Sequence, residues 1–146
     1  MANEAVLLKQ YSIPTSHIVA DGTGIEKGTI LAISGSNIVI APWDGQTACG
    51  VPVIGIAAVE KIASDGCTLL ATHKDGEFKG TASGSIGVGD PIGILSDSTW
   101  PNLISSMKNA TIASGSSILG ISLEDASTTE TFRFKLQPQA AGYAGT

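Results

Sequence analysis

The string Val53-Ile54-Gly55-Ile56 returns as Ile118-Leu119-Gly120-Ile121, and this repetition limits the possible folds more than any other feature of the chain. The first copy continues through Ala57, Ala58, Val59 and Glu60 to Ala63-Ser64, then Cys67-Thr68-Leu69-Leu70-Ala71. The second runs through Ser122, Leu123 and Glu124 to Ala126-Ser127, then Thr131-Phe132-Arg133-Phe134-Lys135. Upstream, the segment from Ile25 to Ile33 has its counterpart, in the same order, in Ile86 to Ile94. Self-similarity at a long period marks one supersecondary unit used twice, each copy burying its apolar face against the other. The pseudo-repeats span about 25–72 and 86–135.

No segment carries a long 3.6-residue periodicity, so the unit is a β unit. Asp-Gly occurs at Asp21, Asp44, Asp65 and Asp75, a pair that supplies the positive φ of tight turns. Strands are expected at His17–Ala20, Gly28–Ile33 and Asn37–Ala41. Asp75-Gly76 is expected to join Thr68–His73 to Glu77–Thr81 as a hairpin. Residues 82 to 90 read as the boundary between the halves. In the last strand Phe132, Phe134 and Leu136 alternate with Thr131, Arg133 and Lys135, the period of a half-buried strand. The expected fold is all-β: a small β-barrel or β-sandwich of short strands built from two similar halves, with an extended N-terminal arm and little helix. Residues 1–15 read as that arm, with an ordinary edge strand as the alternative, closed by Ser12-Ile13-Pro14. Residues 16–136 form a single β domain, and residues 137–146, rich in Ala and Gly, a flexible tail.

Charged residues make up 14% of the chain against an average near 25%, and mean hydropathy is +0.25. Part of the outer surface is therefore expected to be covered by another copy or a partner, and an oligomer is expected. The net charge is −5 and the eight basic residues are scattered along the sequence, so nucleic acid is not an expected partner. No apolar run approaches the ~18 residues of a membrane span, and the N-terminus lacks the basic start of a signal peptide. Synthesis in a cytoplasm, and no membrane partner, are expected. Cys49 and Cys67 read as buried free thiols.

No catalytic constellation emerges. Gly22-Thr23-Gly24 with Gly28 has neither the spacing nor the Lys-Ser/Thr pair of a phosphate loop. Ser105 and Lys108 have the Ser-x-x-Lys spacing of some acyl enzymes without a companion motif. His17, His73, Cys49 and Cys67 offer zinc-type donors but no preorganising pair, so no metal or cofactor is expected. Glu124-Asp125 reads as a solvated turn. The sequon at Asn109-Ala110-Thr111 carries no weight without a signal peptide. Trp43 and Trp100 each adjoin a proline and follow the central strands of their half. They are candidates for an oligomer interface or for plugs at the ends of the core.

The order of elements resembles the capsid decoration, or cement, proteins of tailed bacteriophages. The features that carry the resemblance are the short N-terminal arm, Ile25 to Gly28 opening a strand, and Gly55-Ile56-Ala57. They continue with the Asp65-Gly66 turn into Thr68-Leu69-Leu70, a second Asp-Gly turn, and Gly120-Ile121 before an amphipathic last strand. The likeness covers most of residues 3 to 136. It implies a homotrimer on the outside of an icosahedral head, at three-fold or quasi-three-fold positions, clamping the major capsid protein and carrying no catalytic residues. In that setting Val6, Leu7, Leu8, Tyr11 and Ile13 of the arm are the expected capsid-binding residues, by main-chain strand addition. The alternative is a β-barrel carbohydrate-binding or adhesion module using Trp43, Trp100 or Tyr143 as stacking platforms.

Overall fold

The computed structural model describes residues 3–33, 38–40, 53–94, 102–108 and 118–139. It is all-β, with no helix among these residues and none long and apolar enough to cross a membrane. Eleven strands are described: β1 (Val6–Lys9), β2 (Thr15–Ile18), β3 (Ile30–Ile33), β4 (Val39–Ile40), β5 (Val53–Ala57), β6 (Leu69–His73), β7 (Gly76–Ala82), β8 (Pro91–Ile94), β9 (Leu103–Ser106), β10 (Ile118–Ser122) and β11 (Thr131–Gln139).

The two sheets are built on one plan. In the first, the order is β2-β6-β5-β3-β4; in the second it is β7-β11-β10-β8-β9, with β1 added outside β7. Neighbouring strands in these orders are antiparallel. Each sheet then curls until its ends meet in parallel. Thr81 and Ala82 of β7 pair with Leu103 and Ile104 of β9, and Val19, just past β2, bridges Val39 of β4. Curling hides edges that a flat five-stranded sheet exposes.

The backbone bonds repeat residue for residue. Ile25 and Lys61 exchange N–H···O bonds of 2.9 and 2.7 Å, and Ile86 and Ala126 exchange bonds of 2.8 and 2.9 Å. Gly28 N–H donates to the Ala57 carbonyl and Gly89 N–H to the Ser122 carbonyl, both at 2.9 Å. The repeated Gly-Ile string has a steric cause. A Cβ on Gly55 would overlap the carbonyl oxygen of His73, and one on Gly120 that of Lys135, so only glycine lets the paired strands approach this closely.

The halves divide earlier than the sequence indicates. β6 and β7 do not form a hairpin: β6 belongs to the first sheet and β7 to the second, so residues 74 and 75 are the crossover. Gly76, at φ +122°, turns the chain out of the first sheet and lies opposite Leu136 of β11. β7 thus opens the second unit as β2 opens the first. Residues 83–90 belong inside that unit, where Ile86 bridges Ala126. β2 runs over Thr15–Ile18 rather than the expected His17–Ala20, and Val19 beyond it makes only the single bridge to Val39. β11 extends to Gln139, so the strand continues three residues into the stretch expected to be tail, and the residues beyond it lie outside those described.

Packing follows alternation. Phe132, Phe134 and Leu136 of β11 are fully buried, with Phe78, Ile92, Ile104 and Leu119, in the larger core. Ile30, Val53 and Ile56 of the first sheet join that core, while Leu31, Ala57 and Leu70 fill the smaller core with Val19, Ile25 and Val39. β3 and β5 therefore serve both cores, which makes the two sheets one packed body.

Candidate functional site

The expected arm residues lie against the fold as an edge strand. Val6 of β1 sits opposite Lys79, Leu7 opposite Phe78 and Lys9 opposite Glu77, and the register shifts between Leu7 and Lys9. That irregularity puts Val6 and Lys9 on the same, outer face while Leu7 packs against the larger core. Val6, Leu8 and Tyr11 are exposed, and Ile13 is 81% exposed. Ala5 N–H donates to the Gly28 carbonyl at 2.8 Å, holding the start of β1 to the first unit. Beyond β1, Tyr11 Oη donates to Glu77 Oε2 at 2.6 Å and Ser12 Oγ to Asp75 Oδ1 at 2.7 Å. The bond to Glu77 raises the Tyr11 phenol above its ordinary pKa. The free edge of β1 has no strand partner among the described residues.

The register gathers cations that are scattered in the sequence. Lys79 stands opposite Arg133, and Glu77 opposite both Lys9 and Lys135, so four of the chain's eight basic residues share the outer face of β1, β7 and β11. Lys9 and Lys135 place their Nζ atoms 5.9 and 6.0 Å from the centre of the Tyr11 ring, within reach of its negative face. Arg133 Nη2 lies 3.6 Å from Glu124 Oε1, and its backbone N–H donates to Glu124 Oε2 at 3.0 Å. Arg133 and Lys135 were legible as strand neighbours on one face. Lys9 and Lys79 were not, because their places depend on pairing across about 50 to 125 residues of chain.

A second polar cluster closes the far end of the first unit. Lys61 is buried, its side chain 1% exposed, and its Nζ donates to Asp65 Oδ1 at 2.7 Å and to the Ile62 carbonyl at 2.5 Å. The carbonyl and Oδ1 of Asp21 lie 3.1 and 3.2 Å away. Burial disfavours the charged amine, but the bonds it donates to Asp65 and Asp21 outweigh it and raise its pKa; the bonds from Lys61 and from the Cys67 N–H lower that of Asp65. Two Asp-Gly turns, at Asp21 and Asp65, are locked together by one ammonium. The second unit has Ala126 in the equivalent place.

The remaining candidates are not brought together. Ser105 is buried and its Oγ donates to the Ser83 carbonyl at 2.9 Å, while Lys108 Nζ reaches Asp90 Oδ1 at 3.8 Å. His17 lies on β2, and buried His73 packs edge-on to Phe78 at 5.4 Å. Cys67 is exposed rather than buried, because it follows the Asp65-Gly66 turn outside any strand. Among the described residues no three His, Cys, Asp or Glu side chains are placed to hold a metal ion. Asp125 Oδ1 accepts the Val88 N–H at 2.9 Å, a turn role, as expected of that acidic pair. A polar depression lined by Ser85, Asp90, Ser106 and Lys108 is occupied by its own bonds: Asp90 Oδ2 accepts from Gly87 N–H and Ser106 Oγ, both at 2.9 Å. Trp43, Trp100, Tyr143, Cys49 and the sequon at Asn109 lie outside the described residues.

No protein-family model matches the chain, and neither does any curated protein.

Proposed function

We propose that this chain is a structural protein of a virion, a homotrimeric capsid decoration protein that binds the exterior of an icosahedral phage head at three-fold or quasi-three-fold positions. It stabilises the shell and carries out no catalysis. The observation that carries this reading is the exposed edge strand β1, with Val6 and Leu8 outward and an edge unpaired among the described residues, on a double-sheet scaffold. An edge of this kind adds to a strand of the major capsid protein through main-chain bonds, with the flanking apolar side chains giving selectivity. Three such strands per trimer convert modest single-site affinity into firm attachment.

Sedimentation of purified protein with expanded, undecorated heads tests the reading. The protein is expected to pellet with the heads, and protein left wholly in the supernatant overturns the proposal. Leu7 and Ala5 also serve the core, so the selective variant is Val6→Ser with Leu8→Ser. It is expected to lose attachment while keeping its urea midpoint.

A further inference from the structure

We propose that copies of this chain associate head to tail, with the cationic outer face of the second unit in one copy set against the acidic and apolar tip of the first unit in the next. The inference rests on the trimer reading above and adds which surfaces meet.

A closed ring of three copies needs a heterologous contact, made by two unlike patches on each chain. A duplicated scaffold supplies two alike surfaces, so the unlikeness has to come from positions where the units diverge. The duplication also acts as an internal control, because a residue that only one unit carries is not needed by the shared backbone plan.

Matched by their strand pairings, Lys79 and Arg133 of the second unit correspond to Ser16 and Ala71 of the first. The first sheet forms with a hydroxyl and a methyl at these places, so the two cations are not a folding requirement of the strand pair. Lys9, Lys79 and Lys135 have no carboxylate within 4 Å among the described residues, which leaves them available to a partner. Beside them the Tyr11 ring and the Arg133 guanidinium are of the types enriched at protein interfaces, and the lysines supply the charge that steers a partner of opposite sign.

The first unit diverges in the opposite sense. Ile18 and Leu69 face each other across β2 and β6 and are both about half exposed, whereas the second unit has Thr81 opposite Thr131. Val59 and Ile62, also exposed, correspond to Glu124 and Ser127. These apolar side chains flank exposed Glu60 and the lock in which Asp21 and Asp65 outnumber the single ammonium of Lys61. One end of the molecule is thus acidic and apolar and the outer face of the other unit cationic. In a chain of net charge −5 the partner of matching sign is a second copy.

The experiment is the mass in solution by light scattering, at about 0.05 M and about 0.5 M salt. The wild type is compared with Lys79→Ser plus Arg133→Ala, which installs the first unit's residues, and with Lys79→Glu alone and combined with Glu60→Lys. The expected result is a wild-type trimer whose dissociation constant rises about tenfold or more in the double variant and in high salt. Lys79→Glu dissociates it further, and Glu60→Lys restores it. Unchanged circular dichroism spectra exclude misfolding. A wild-type trimer indifferent to salt and to these variants overturns the inference and leaves the trimer standing, whereas a wild-type monomer at low salt removes both. Loss of heparin binding in the double variant with no change in mass assigns the face to a non-protein polyanion, and also overturns it.

Discussion

At the scale of single residues, Asn102 ties the units together. It is fully buried, stands at φ +62°, where asparagine is better tolerated than most residues, and its Oδ1 accepts the backbone N–H of Ile30 at 3.0 Å. Asn102→Leu leaves that buried donor unpaired and is expected to cost about 1–3 kcal/mol, read as a lower urea midpoint. Gly55→Ala and Gly120→Ala drive a methyl into a carbonyl oxygen and should each cost about 2 kcal/mol or more, while Gly22→Ala, with open space around it, stays within about 0.5 kcal/mol. Equal costs at all three positions would refute the close-approach account of the repeated glycines. His73 is 6% exposed and its Nδ1 finds no hydrogen-bond partner among the described residues. Burial, then the charge of Lys27, lowers its pKa below the ordinary value. The unfolded chain therefore binds the proton more readily. Stability is complete above about pH 6.5 and falls as pH drops from there toward the folded-state value. Urea midpoints between pH 8 and pH 5 check this, and His73→Phe is expected to flatten that part of the profile.

Among the elements, β1 is held less firmly than the strands of the larger core. It has four residues, an irregular register and one neighbour, whereas β7 and β11 pair over six consecutive positions. Its amides should exchange with solvent well before those of β11, since local opening draws on few contacts. Protection in β1 equal to that in β11 would refute this ranking. The strands themselves were largely legible: the alternation of Phe132, Phe134 and Leu136 and the Gly-Ile strings correspond to β11, β5 and β10. Partnership was not. Asp75-Gly76 reads locally as a hairpin turn, but Gly76 at φ +122° directs β7 to β11, some 50 residues downstream, and leaves β6 with β5. Local turn chemistry specifies a bend. It does not specify which sheet receives the next strand.

As a whole molecule, the chain is expected to unfold in one step. Ile30, Val53 and Ile56 come from the first sheet and are buried in the core of the second, so neither unit is complete alone. Ile56→Ala should remove about 2–5 kcal/mol and still give a single calorimetric transition. Two separate transitions would mean that the units are independent domains. The cationic face also exists only at this scale. Lys9, Lys79, Arg133 and Lys135 come from three strands spread over most of the chain, and only the register aligns them.

The amino-acid sequence by itself determined that the chain is β-rich, that one unit is used twice, and where glycine has to stand. These properties depend on alternation and on steric exclusion, which act over a few residues or between strands already paired. Tertiary structure decided where the halves divide, that the N-terminal strand lies beside β7, that one lysine locks two turns, and that half of the basic residues share a face. Each of these depends on which distant strands pair and in what register, and a short apolar string is compatible with several partners until the shared core selects one.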